Sequence, residues 1–212
     1  GSSEEFEART CSVAWTGTAS LAAFQPATAT TDLARVPAPS AFDGTDEGWQ
    51  VVCLNDNGPY DTVINQQTPE HRPTGGHPGG YVSSSDPGSG NFFWQAPNGY
   101  LGNHADLYGG SLRYDLKSEG GECFDEADVV LIGGGLVLVY NQPDNPTDQW
   151  QTLSVPLTEK GWTKSAVGGE PVTAEEFRTV LSNLTALRLR GEFRWGAEVG
   201  SLDNVAFHQP GK

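Results

Sequence analysis

A chain of 212 residues with 27 acidic and 12 basic side chains, net charge −15, is long enough for one all-β domain and repels nucleic acid and anionic membranes at long range. Its 27 glycines and 14 prolines suit short strands and many turns better than a helical bundle. No apolar run approaches the ~18 residues of a membrane span, so no membrane insertion is expected.

Residues 1–40 are rich in Ala, Thr and Pro and read as an N-terminal extension or linker, with a possible strand at 12–15 or 20–24. The domain proper is expected over 41–209. Trp49, Val51 and Cys53 alternate along a first strand. Residues 55–80 carry four prolines and read as a long loop with only a short strand near 62–64. Leu112, Tyr114 and Leu116 share one strand face, opposite Arg113 and Asp115. Two apolar runs, 129–132 and 136–140, are expected to be central strands joined at Gly133-Gly134-Gly135. That glycine run opens no helix and carries no Lys-Ser/Thr pair, so it is a turn and not a phosphate loop.

Further on, Leu153, Val155 and Leu157 point inward, leaving Trp150, Thr152 and Ser154 on the opposite face. Thr173 with Glu176 forms a capping box, and Phe177, Val180, Leu181 and Leu184 follow at helical spacing, which predicts one short helix near 173–185. Leu187, Leu189, Gly191, Phe193 and Trp195 then alternate with Arg188, Arg190, Glu192 and Arg194, a dry face and a charged one. The last strand is expected at 202–208. The result is an all-β, two-sheet antiparallel β-sandwich with a single helix.

Catalytic signatures are missing. The sequence has no Gly-x-Ser-x-Gly and no His-Glu-x-x-His, and His71 and His77 sit among prolines and glycines as solvated loop histidines. No pair of acids stands out for glycoside hydrolysis. Cys11, Cys53 and Cys123 lack zinc-ligand spacing; one disulfide with one thiol left over is expected, and three pairings are open. A ligand face is expected where Arg188, Arg190 and Arg194 form a positive stripe, with Arg113 and Trp150 joining it if their strands are neighbours. Guanidinium forks and an indole face together suit an acidic glycan.

Several segments stand in an order of their own: Gly79-Gly80-Tyr81-Val82-Ser83-Ser84, Phe93-Trp94-Gln95-Ala96-Pro97, Tyr100-Leu101-Gly102-Asn103, Tyr108-Gly109-Gly110-Ser111-Leu112-Arg113-Tyr114, Glu170-Pro171-Val172-Thr173, Val180-Leu181-Ser182-Asn183-Leu184 and Leu202-Asp203-Asn204-Val205. Together they resemble the laminin IV type A (laminin B) domain over about residues 41–208. The resemblance implies a jelly roll similar to carbohydrate-binding modules, in the extracellular space or at the cell surface, as a monomeric module of a larger protein. It also implies a non-catalytic adhesion role with a glycan or an extracellular protein as partner; the alternatives are a polysaccharide-active catalytic domain and a structural spacer. The acidic loop at 43–48 resembles the segment that holds calcium in such jelly rolls. By that likeness Asp43, Asp46 and Asp203 are the expected ligands of a structural calcium ion.

Overall fold

In a computed structural model of the chain, the described residues are 36–211 apart from 57 and 89. The strand expected at 12–15 or 20–24 lies outside them. The strands, in chain order, are β1 (Gln50–Leu54), β2 (Val63–Gln67), β3 (Glu70–Arg72), β4 (Tyr81–Ser85), β5 (Asn91–Gln95), β6 (Ser111–Gly120), β7 (Val129–Gly133), β8 (Leu136–Tyr140), β9 (Gln151–Pro156) and β10 (Trp162–Lys164). A helix α1 (Ala174–Ser182) leads into β11 (Leu184–Arg190), and β12 (Glu198–His208) closes the fold.

All pairings are antiparallel and make two sheets. One has seven strands in the order β10-β8-β7-β11-β5-β1-β2, the other five in the order β3-β4-β12-β6-β9. This is the expected sandwich with one helix. Its capping box is formed: Thr173 Oγ1 accepts from Glu176 N (3.2 Å), and the Glu176 carboxylate accepts from Thr173 N (2.8 Å). Those bonds satisfy two helix-end N–H groups that would otherwise lack partners. Phe177 on the buried face of α1 meets Trp162 edge-on at 5.3 Å. The glycine run closes the β7–β8 hairpin, with Gly134 and Gly135 at φ 56° and 79°, values that a two-residue hairpin turn requires.

The alternation of side chains divides the apolar residues between two cores. Val51, Cys53, Phe92, Trp94, Val129, Leu131, Leu187 and Leu189 face Val82, Leu112, Tyr114, Leu116, Val155 and Leu202 between the sheets. The other face of the seven-stranded sheet carries Val52, Leu54, Phe93, Val130 and Val139, covered by Tyr60 and Ala127. Strands buried on both faces read as continuous apolar runs, and each such side chain stabilises by roughly 1.5–3 kcal/mol.

Three expectations need correction here. The 55–80 segment holds more than the short strand expected near 62–64: that strand is β2, an exposed edge strand, and β3 follows it at Glu70–Arg72. The inward series does not run on to Trp195. The chain leaves the sheet after Arg190, Phe193 is buried, and Trp195 is 66% exposed. Cys53 and Cys123 do not pair: Cys53 lies in the core, where burial pushes its thiol up to about 11, while Cys123 is exposed. Cys11 lies outside the described residues.

Candidate functional site

The expected ligand face does not assemble as the strand periods suggested. Arg188 and Arg190 sit on β11, inside the seven-stranded sheet, whereas Arg113 is on β6 and Trp150 precedes β9, both in the other sheet. Alternation does put the two β11 arginines opposite Leu187 and Leu189, but that side is covered: Arg188 is 5% and Arg190 1% exposed. Arg188 donates to Gln95 Oε1 at 2.9 Å and to the Tyr60 carbonyl. Arg190 pairs with buried Asp128 at 3.5 Å, donates to the carbonyls of Glu192 and Phe124 at 2.5 and 3.0 Å, and lies 4.4 Å from the ring centres of both Phe124 and Phe193. Neither guanidinium is presented to a ligand. Arg194 is half-buried beside an open polar cavity of about 540 Å³, which Glu119, Thr147, Asp148 and Gln149 also line. Its guanidinium is spent on the carbonyls of Ser118, Gly121 and Pro146, at 3.1, 2.9 and 3.1 Å.

What remains is the outer face of the five-stranded sheet. There the pairs Arg113–Ser154 and Asp115–Thr152 run along β6 and β9, and Lys117 follows two residues on. Trp150 stands just beyond the Leu116–Gln151 pair. Tyr81 meets it edge-on at 5.4 Å, and Lys117 Nζ lies 5.5 Å from its ring centre and 5.9 Å from that of Tyr81. The Trp150 indole N–H donates to the Gly75 carbonyl at 3.0 Å, and His77 is parallel to the ring at 6.5 Å. Trp150 therefore anchors the 73–80 loop as well as offering an edge to solvent. Arg113 is exposed.

The carboxylates behave differently from the expectation. Asp203 and Asp115 are direct partners across β12 and β6, buried and like-charged. N–H and O–H donors relieve them. Asp203 accepts from His77 N (2.6 Å) and Asn204 N (2.7 Å); Asp115 accepts from Thr152 Oγ1 (2.5 Å), from Asn204 Nδ2 (2.8 Å) and, 3.1 Å away, faces His77 Nδ1. Asp43 approaches Asp203 closely enough to raise its pKa, but Asp46 turns back to cap its own turn, accepting from Gly48 N at 2.9 Å. Among the described residues no group of three or more His, Cys, Asp or Glu side chains is arranged to hold a metal ion. Asp43 and Asp203 therefore lie near each other while Asp46 faces its own turn, so the three expected calcium ligands are not brought together as one group. His77 is an exposed loop residue, as its sequence suggests, and it also holds both carboxylates, through its backbone N–H to Asp203 and its ring to Asp115.

Burial leaves several acids hard to ionise. It pushes Glu192 up to about 7 and Asp128 and Asp203 up to about 6, each despite backbone N–H donors, and it raises Glu198 as well. Folded acids with raised pKa values bind protons that the unfolded chain, titrating near 4, has already lost, so stability falls as pH rises through about 4–7. The melting temperature is therefore expected to climb on acidification from about pH 8 to about pH 5. Glu176, held down at about 2 first by its bond from the Thr173 backbone and then by Lys164, acts in the other sense. Its contribution is intact above about 4.5 and fades below, which puts the optimum near pH 5. A melting temperature that rises steadily from pH 5 to pH 8 would contradict this.

A model of the family described as laminin B (domain IV) matches residues 93–209. The chain belongs to that family. It is 36% identical over 122 residues to human (Homo sapiens) laminin subunit alpha-3, covering 55% of this chain and 4% of that protein. It is 30% identical over 174 residues to horse (Equus caballus) laminin subunit gamma-2, covering 78% and 13%. Against the mouse (Mus musculus) basement membrane-specific heparan sulfate proteoglycan core protein the identity is 29% over 130 residues, covering 58% and 3%. The chain thus spans only a small part of the relatives it matches. Among solved structures, the L4b domain of human laminin alpha-2 superposes with a TM-score of 0.56 at 18% identity, over 69% of this chain and 86% of that one. CtCBM11 in solution gives 0.50 at 15%, over 86% and 99%. At such identities the likeness is one of fold.

Proposed function

We propose that this protein is a non-catalytic extracellular module whose five-stranded sheet recognises an acidic glycan on its outer face. Its relatives are laminin subunits and basement-membrane proteins, and an extracellular location follows from them. No helix among the described residues is long and apolar enough to cross a membrane. The observation that carries the ligand reading is the grouping of exposed Arg113 with Lys117, Tyr81 and Trp150 on one sheet face. Cations bind carboxylate or sulfate, and the solvent-exposed part of the indole adds apolar surface for a sugar ring. On a chain of net charge −15 this is a local exception that a polyanion would have to find at short range.

The test is retention on immobilised heparin and polygalacturonate against neutral dextran. The wild type should be held by at least one anionic matrix and released by salt, with no new reducing ends, and the Arg113→Ala, Lys117→Ala double variant should elute about where a protein on dextran does. Retention that the double variant keeps, or release of reducing sugar, would overturn the reading.

A further inference from the structure

Among the described residues the largest apolar side chain left in solvent is Trp195, 66% exposed, and it is not on a floppy tip. Its own N–H donates to the Glu122 carbonyl at 2.9 Å. The preceding Arg194 is tied to three carbonyls, and the backbone N–H groups of Phe193 and Arg194 each donate at 2.9 Å to the buried Glu198 carboxylate. The indole rests on Phe124, ring centres 4.5 Å apart and 32° from parallel, so one face is supported and the other is free. An indole held from below by Phe124 and open on its other face offers apolar surface to a ligand.

Trp195 and Phe124 form one end of a groove. A cavity of about 200 Å³ lies between them and Asp56, Asn91, Asp125 and Glu126. A second, of about 280 Å³, adjoins it across the same Asp125–Glu126 wall and ends at Tyr60, Ala166 and the 44%-exposed Val167. The wall is pre-set: Tyr60 Oη donates to Glu126 at 2.9 Å, Asn91 donates to the other Glu126 oxygen, and Asn141 donates to Asp125 at 3.1 Å. Among the described residues no lysine or arginine lines either cavity.

We infer that this groove is a binding site for a neutral oligosaccharide, separate from the cationic face of the five-stranded sheet. The apolar C–H face of a pyranose fits on the open side of Trp195, and its hydroxyls donate to the Asp56 and Asp125 carboxylates beside it. The lack of a cation turns away uronic and sulfated sugars. Two adjoining cavities with an apolar residue at each end call for a ligand longer than one ring.

The experiment is titration of the full chain with cellohexaose, laminarihexaose, mannohexaose and chitohexaose, followed by calorimetry and tryptophan fluorescence. At least one should bind with a change in indole emission, and glucose should bind far more weakly. Trp195→Ala should weaken the binder by about tenfold or more while leaving the melting temperature unchanged, because the ring is exposed. Asp125→Ala, at the wall, should weaken it by several-fold without touching the aromatic shelf. Arg113→Ala should leave it unaltered, which separates this site from the acidic-glycan face. The inference fails if no hexasaccharide binds, if binding survives both groove substitutions, or if the groove instead holds a lysine- and arginine-rich peptide and no sugar.

Discussion

Replacing Arg190 by alanine is expected to destabilise the domain by about 3–5 kcal/mol, the range for breaking a buried ion pair by removing one partner. For a domain of this size that is a fall in melting temperature of about 6–20 °C. The reason is what stays behind. Asp128 is 2% exposed, and burial already outweighs the arginine's pull on its pKa. Without the guanidinium it must take up a proton or remain as an uncompensated buried charge. The carbonyls of Phe124 and Glu192 would also lose a donor, and the Phe124 and Phe193 rings would lose the flat group packed against them. Denaturant melts check this. The Arg190→Met, Asp128→Leu double variant should recover much of the loss, since apolar replacements of buried pairs are often nearly neutral. An Arg190→Ala protein with wild-type stability would show that the pair is not buried as described.

That prediction also marks what could be read from the sequence. Alternation along 187–195 assigned Arg188 and Arg190 to the face opposite Leu187 and Leu189, and the side is right. What local periodicity cannot tell is whether a side is covered. The cover comes from Tyr60 and from the 124–127 segment, both more than sixty residues away along the chain. The helix was legible because its cap and its apolar spacing are both local and agree. Trp195 was misplaced because a period of two holds only while the strand lasts, and nothing in Gly191-Glu192-Phe193-Arg194 announces that the chain has already left the sheet. Trp150, set on a polar face by its neighbours Thr152 and Ser154, was placed correctly. Its partners Tyr81, Lys117 and the 73–80 loop come from three other segments and needed the fold. The one signal that could have pointed to His77 is the match of a proline- and glycine-rich loop with buried Asp115 and Asp203, which no spacing in the sequence reveals.

A second large effect is expected where Gly191 and Gly200 meet the ring of Phe92. Gly191, at the exit of β11, and Gly200, on β12, both lie against the ring of Phe92. A Cβ on Gly191 would fall 1.9 Å from Phe92 Cε2, and one on Gly200 would fall 2.5 Å from the Gly191 carbonyl oxygen and 2.8 Å from Phe92 Cζ. Phe92 cannot easily step aside, because it is fully buried and packed edge-on to Trp94 at 5.5 Å. Gly191→Ala should therefore cost about 3 kcal/mol, the upper end for overpacking a core. Shrinking the ring supplies the control: Phe92→Leu alone leaves a cavity, but combined with Gly191→Ala it should be less damaging than the sum of the two, a favourable coupling that a double-mutant cycle reads directly. Gly44→Ala, where nothing lies within 4 Å of the added carbon, should change stability by less than about 0.5 kcal/mol. Equal effects at the two glycines would mean that Phe92 yields to the added carbon at Gly191 and that the contact sets no cost.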